Sequence, residues 1–208
     1  GFKLLNDISW VKPNPPPNLS CRYFTHSTDT VIWAAKNDKS KHPFNYAAMK
    51  AVTGKQMKTV WSILPPSNGE KAFGKHPTQK PVALVERCLL ASTNPGDLVL
   101  DPFLGGGTTA VACVRLRRWF VGIDLTADYL DLAARRADRE IVLIWLREFR
   151  VRIEVSVFVQ NDLDPPSERI NGSGVMNDKP DVQAERIFHE CKFVFLSCAQ
   201  VAHGSVVH

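Results

Sequence analysis

"LDPFLGGGTTA" (Leu100–Ala110) places an aspartate and a proline before three consecutive glycines and two threonines. "DLVLD" (Asp97–Asp101) leads into it and reads as a short buried strand, while "TTAVACVRLRR" (Thr108–Arg118) leads out as a helix. A second strand, "WFVGID" (Trp119–Asp124), follows directly. Thr126 can then N-cap a helix running through Arg139, with Asp128 well placed in its first turn. Strand, glycine loop, helix, strand and helix in this order predict an α/β fold with a parallel sheet.

The loop is not a Walker A site, because no lysine follows the glycines before a serine or threonine. It does satisfy G-x-G-x-x-A through Gly105, Gly107 and Ala110, and Asp124 lies 19 positions after Gly105. Those features suit a nucleoside-binding crossover. Glycine lets the backbone approach the ligand, a helix N-terminus offers free N–H groups, and the second-strand carboxylate accepts from ribose hydroxyls. The pattern alone does not separate NAD from S-adenosylmethionine (SAM). Asp101 favours the sulfonium ligand: a carboxylate beside the glycines repels a pyrophosphate but accepts from an ammonium group. Phe103 gives the loop an apolar wall.

Working towards the N-terminus, Val82, Leu84, Val85, Cys88 and Leu89 form a helical stripe that starts at Pro81 and ends at "TNPG" (Thr93–Gly96). "LLNDISWVK" (Leu4–Lys12) and "TDTVIWAAK" (Thr28–Lys36) read as strands, separated by the proline-rich loop "PNPPPN" (Pro13–Asn18). Asn37–Lys58 is polar and lysine-rich, with Phe44 and Tyr46 among the charges, and reads as a surface insertion rather than core. Beyond Glu140, "FRVRIEVSVFV" (Phe149–Val159) alternates like a half-exposed strand, and Asp162–Asp181 reads as turn-rich linker. No internal repeat is visible.

The chain has 208 residues and is 44% hydrophobic, enough for one good core and an appendage. Its net charge of +5 is uneven: residues 1–90 hold 13 Lys and Arg against 5 Asp and Glu, while residues 91–140 hold 6 against 7. A basic first part points to a polyanionic partner. The five cysteines are odd in number and form no C-x-x-C pair, so neither a disulfide framework, a zinc site nor any other metal site is expected. Reduced thiols, no leader and no bilayer-length apolar run predict a cytoplasmic protein with no membrane association. Gly1 in place of a methionine predicts a fragment or processed product.

"HPTQKPVALVERCLLASTNPGDLVLDPFLGGGTTAVACVRLRRWFVGIDLTADYLDLAARR" (His76–Arg136) closely resembles the amino-group DNA methyltransferases, which methylate adenine N6 or cytosine N4. The H-P-T-Q-K-P box followed by D-P-F-x-G-x-G-T-T carries the resemblance, and "GFKLLNDISWVKPNPPP" and "CRYFTHSTDTVIWAAK" extend it to Gly1–Glu140. The motif order is that of the β group. The resemblance implies a partial Rossmann-like SAM-dependent methyltransferase sheet with a short target-recognition insertion and an unassigned C-terminal extension. Residues 1–36 would be catalytic-domain strands and the start of a DNA-facing region, 37–75 the insertion, 76–140 the SAM-binding part and 141–208 the extension. Asp101, Phe103, Gly105, Gly107 and Thr108 would line the cofactor, Asp124 would take its ribose, and Thr78 and Lys80 its carboxylate. His76 is expected to be structural. Trp10, Lys12, Arg22, Lys36, Lys39 and Lys41 would face DNA.

The family's reactive loop, of the form D-P-P-Y, lies upstream in the β order, so the chain is expected to lack it and to be inactive alone, with no catalytic residue of its own. "LDPPS" (Leu163–Ser167) is a weak substitute: Asp164 precedes two prolines, but Ser167 offers no aromatic face for a flipped base. The expected function is adenine-N6 methylation of double-stranded DNA from SAM within a restriction-modification system, with a homodimer or a cognate restriction endonuclease as further partners. Cytosine-N4 methylation and a non-catalytic DNA-binding remnant are the alternatives. A nicotinamide-linked oxidoreductase ranks behind, since H-P-T-Q-K-P has no role in one.

Overall fold

Ile8 and Trp10 point to one side of a strand and Asp7 and Ser9 to the other, so β1 (Lys3–Val11) buries one face and wets the other. The computed structural model describes residues 1–148, 156–158 and 192–193. β2 (Thr28–Ala35) pairs antiparallel with β1, setting Val31 opposite Ile8, with a register shift between Leu4 and Asn6. β3 (Val60–Ser62) adds in parallel on the other edge, with Trp61 opposite Trp10, giving the order β2-β1-β3. Two helices, α1 (Tyr46–Thr53) and α2 (Val82–Ser92), belong to the same unit. Leu84 and Cys88 of α2 pack with Ile8, Trp10, Val31, Trp61 and Ile63 in one buried cluster.

α2 is held at both ends by residues distant in sequence, and at its C-terminal end also by Thr93, whose backbone N–H and hydroxyl donate to the Leu89 carbonyl at 2.9 and 2.6 Å. Pro81 has no N–H, and the Val82 N–H is taken by the Glu70 carboxylate at 2.9 Å, from 12 positions upstream. At the other end the Asn45 side-chain amide donates to the carbonyls of Leu90 at 2.9 Å and Thr93 at 2.7 Å. Asn37–Lys58, read as a surface insertion, is thus tied to the core at two residues. Asn45 anchors α1 to α2, and Met49 is 2% exposed. The remainder of that stretch is largely exposed.

The second unit holds the described residues between Pro95 and Phe193. β4 (Leu98–Asp101) pairs in parallel with β5 (Trp119–Ile123), Asp101 opposite Gly122. α3 (Thr108–Leu116) connects them, and α4 (Ala127–Glu148) follows. Thr108 through Val114 are all buried, as expected of a helix covered on every side. β6 (Ser156–Phe158) and β7 (Lys192–Phe193) flank the pair, making a parallel sheet in the order β6-β5-β4-β7. The predicted α/β parallel architecture is the one observed.

The two units divide between Asn94 and Pro95. α4 continues past Arg139 to Glu148, because "EIVLIWLRE" (Glu140–Glu148) contains no glycine or proline to stop it. Glu140, at the expected boundary, instead forms a two-pronged pair with Arg115 of α3, at 2.8 and 2.9 Å. Of the expected strand Phe149–Val159, residues 156–158 are described and are strand; Asp164 lies outside the described residues. No helix among the described residues is long and apolar enough to cross a membrane.

A candidate cofactor site at the glycine loop

β4 ends on Asp101 and β5 is followed by Asp124, so parallel pairing brings two carboxylates to the C-terminal ends of neighbouring strands. The loop between β4 and α3 folds onto those ends. Leu104 N–H donates to the Ile123 carbonyl at 2.8 Å, Gly105 N–H to Asp124 Oδ2 at 2.7 Å, and Gly107 N–H to the Leu104 carbonyl at 3.0 Å. Leu104 itself is buried. A Cβ at position 122 would lie 2.5 Å from Leu104 Cδ2, so Gly122 makes the room. Gly105 (φ 51°) and Gly107 (φ 74°) are left-handed, the conformation in which glycine is least hindered. At Gly107 a Cβ would also meet Ala133 of α4 at 2.5 Å.

Asp101 accepts from the Thr109 hydroxyl at 2.6 Å and from Phe103 N–H at 3.0 Å. Burial raises its carboxyl above the usual range, the two hydrogen bonds oppose that, and the nearby Asp124 charge adds to it. Asp124 spends its other oxygen on Thr126 N–H at 2.9 Å, and the Thr126 carbonyl accepts the first bonds of α4. Each carboxylate oxygen keeps a second lone pair for a ligand donor. Phe103 is 82% exposed, and Thr108 is buried at the start of α3. The nearby Cys113 thiol is pushed up to about 12, chiefly by burial, so it is inert as a nucleophile.

Sequence reading missed Arg136. Its guanidinium is buried, donates from Nη1 to the Gly106 carbonyl, and reaches Thr108 Oγ1 at 3.4 Å. The available signal was an arginine inside the apolar stripe of Leu130, Ala133 and Ala137.

The other expected site residues lie in the first unit. His76 Nδ1 accepts from Thr78 N–H at 3.3 Å, and its carbonyl accepts from Gln79 N–H, as a loop-forming histidine would. Thr78 is exposed. Gln79 Nε2 donates to the Glu70 carbonyl, while its buried Oε1 has no hydrogen-bond partner among the described residues. Lys80 stands 4.0 Å from Asp29, which also pairs with Lys12 at 3.0 Å; both ammonium groups lie over the Trp10 ring.

Arg22, Lys36, Lys39 and Lys41 are exposed, whereas the Lys12 side chain is 18% exposed. Trp10 requires a correction. It is 3% exposed and its indole N–H is bound to the Ile63 carbonyl at 2.8 Å, so it is core and not a DNA-facing ring. Its alternation with Ile8 put it on the inward side.

Residues 1–135 match the N6/N4-type methyltransferase family described as DNA methylase. The chain belongs to that family. It is 57% identical over 142 residues to the Type II methyltransferase M2.DpnII of Streptococcus pneumoniae, covering 67% of this chain and 53% of that protein. It is 56% identical to M2.LlaDCHI of Lactococcus lactis subsp. cremoris over 141 residues, covering 67% and 52%. The chain thus spans about half the length of the curated relatives it matches. Among solved structures, the M1.HpyAVI–SAM complex aligns with a TM-score of 0.56 at 41% identity, covering 65% of this chain and 63% of that one.

Proposed function

We propose that the whole protein is a site-specific DNA methyltransferase that transfers a methyl group from SAM to adenine N6 in double-stranded DNA. The present chain would contribute the cofactor-binding part. The observation that carries this reading is the pair of carboxylates, Asp101 and Asp124, at adjacent strand ends around left-handed glycines, in a chain of the DNA methylase family.

The residues present fit SAM. No side chain projects from Gly105, Gly106 or Gly107, so a nucleoside can approach the backbone closely. Asp124, already held by Gly105 and Thr126 N–H groups, presents fixed lone pairs to ribose hydroxyls. Asp101 accepts from the ammonium group and, with Asp124, makes the loop hostile to a pyrophosphate. Phe103 covers one side of the ligand, and Thr108 lines it at the start of α3. Bound SAM supplies an electrophilic methyl group on its sulfonium.

Exposed Arg22, Lys36, Lys39 and Lys41 are assigned to DNA phosphates; Lys12, half-buried and already paired with Asp29, is the weakest candidate for that role. Adenine rather than cytosine is favoured by "NDISWVKPNP" (Asn6–Pro15), which resembles adenine-specific members. The Type II names of the relatives fit a cytoplasmic restriction-modification pair with a cognate endonuclease.

Calorimetric titration of this chain should show binding of SAM and none of NAD; the reverse pattern would overturn the cofactor reading. DNA treated with the whole protein and labelled SAM should yield labelled N6-methyladenine on digestion. Labelled N4-methylcytosine would replace the adenine assignment.

A further inference from the structure

We infer that Arg136 is the positioning residue of the glycine loop, holding it in its ligand-ready shape before the cofactor arrives. The inference rests on the proposal that this loop binds SAM.

Leu130, Ala133 and Ala137 form the buried face of α4, and Arg136 lies among them where the pattern calls for an apolar side chain. Burying a guanidinium is costly unless its donors are used, so its presence there needs a reason. Its contacts supply one. Nη1 donates to the Gly106 carbonyl and reaches the Thr108 hydroxyl, so one group spans the middle of the loop and the first residue of α3. Three residues earlier on α4, Ala133 sits against Gly107 so closely that a Cβ there would collide with it. Residues three apart share a helix face. α4 therefore presses on the loop from behind at three consecutive positions, Gly106, Gly107 and Thr108. The opposite attachment is Asp124, which takes the Gly105 N–H. Three glycines in a row are otherwise the most mobile backbone a chain can have, and each would lose freedom on binding. With Arg136 in place, that ordering is complete in the free protein.

Amide exchange tests this first without mutation. In the native chain without SAM, the Gly105 and Gly107 amides, bonded to Asp124 and Leu104, should exchange slowly. Fast exchange at both would overturn the inference. Arg136→Lys keeps the charge but not the planar fork, and should speed those two amides at least about tenfold. The Ile63 amide, bonded to Val11 in the other unit, should be unchanged. A uniform rise across all protected amides of the Pro95–Phe193 unit would mean that Arg136 only stabilises the fold.

The SAM Kd of Arg136→Lys, taken well below its melting midpoint, should be about tenfold weaker, the effect of one charged hydrogen bond. A Kd within twofold of native would overturn the inference. If the native chain binds no SAM, the cofactor reading fails on its own, and the exchange measurement still decides whether Arg136 orders the loop.

Discussion

In the Pro95–Phe193 unit the charged groups around the glycine loop are buried or half-buried, whereas in the Gly1–Asn94 unit the cations assigned to DNA, Lys12 apart, stand in water. Asp101, Asp124 and Arg136 each meet a backbone group or hydroxyl of the loop. Arg22, Lys36, Lys39 and Lys41 are exposed. The contrast separates two ways of binding. A small ligand held by backbone needs its charges fixed, so fold and function respond to the same substitutions. A polyanion is attracted by charge near the surface, so function can change while the fold stays intact.

Trp10 tests that division most severely, because it belongs to the unit of exposed cations yet sits in its core. Trp10→Ala removes a buried indole and its bond to Ile63, and should destabilise the chain by about 3–5 kcal/mol in denaturant unfolding. A variant that unfolds like the native chain while losing DNA affinity would return Trp10 to the DNA-facing surface.

Next in size is a pair of glycine substitutions, one in each unit. Gly107 and Gly54 have nearly the same backbone, φ 74° and 70°, but Gly107 faces Ala133 at 2.5 Å while nothing lies within 4 Å of a Cβ at Gly54. Gly54→Ala should cost about 1–2 kcal/mol, the strain of the left-handed region alone. Gly107→Ala should cost about 2–4 kcal/mol, because overpacking against α4 is added. Equal losses would show that packing on α4 is not what demands glycine there.

The same two units differ in how far the sequence discloses them. β4, α3 and β5 fall within about two residues of their expected limits because strand, loop and helix signals are local. Asp101 is legible from its place just before the glycines and Asp124 from its spacing after them, and parallel pairing sets both at neighbouring strand ends. The long-range partners at the ends of α2 are not legible, since Glu70 and Asn45 act across 12 and 45 positions. Arg136 was missed for a related reason: its acceptor Gly106 lies 30 positions away. Trp10 was misassigned although its signal was present. A ring beside Lys12 resembles a nucleic-acid contact, but its period-two spacing from Ile8 decides the face.

Asp101 should show stability and binding moving in opposite directions. Its folded carboxyl titrates above the ordinary value of 3.8, mainly through burial. The folded state then binds the proton more tightly than the unfolded one, so stability falls as pH rises through that window. The penalty is complete above the folded value and absent below the unfolded one. Asp101→Asn should therefore be more stable than the native chain at pH 7, with the gain gone below about pH 4. Its SAM affinity should drop sharply, since the ammonium group loses its anion. Unchanged stability at pH 7 would show that the Thr109 and Phe103 bonds fully offset desolvation.

The smallest effect on stability, and the cleanest test of the exposed cations, is Lys39→Gln with Lys41→Gln. Both residues are exposed, so unfolding free energy should stay within about 0.5 kcal/mol of native. DNA binding should weaken for every sequence alike, because phosphate contacts carry no base information. Each lysine that neutralises a phosphate releases condensed counterions, so the slope of log affinity against log salt should flatten by about one unit per lysine. An unchanged slope would remove these lysines from the interface. A slope that flattens for one sequence and not another would instead give them a part in reading bases, as donors to guanine O6 and N7. Lys12→Gln offers the counter-test: its ammonium is already paired with Asp29, so the same substitution there should move the salt slope least.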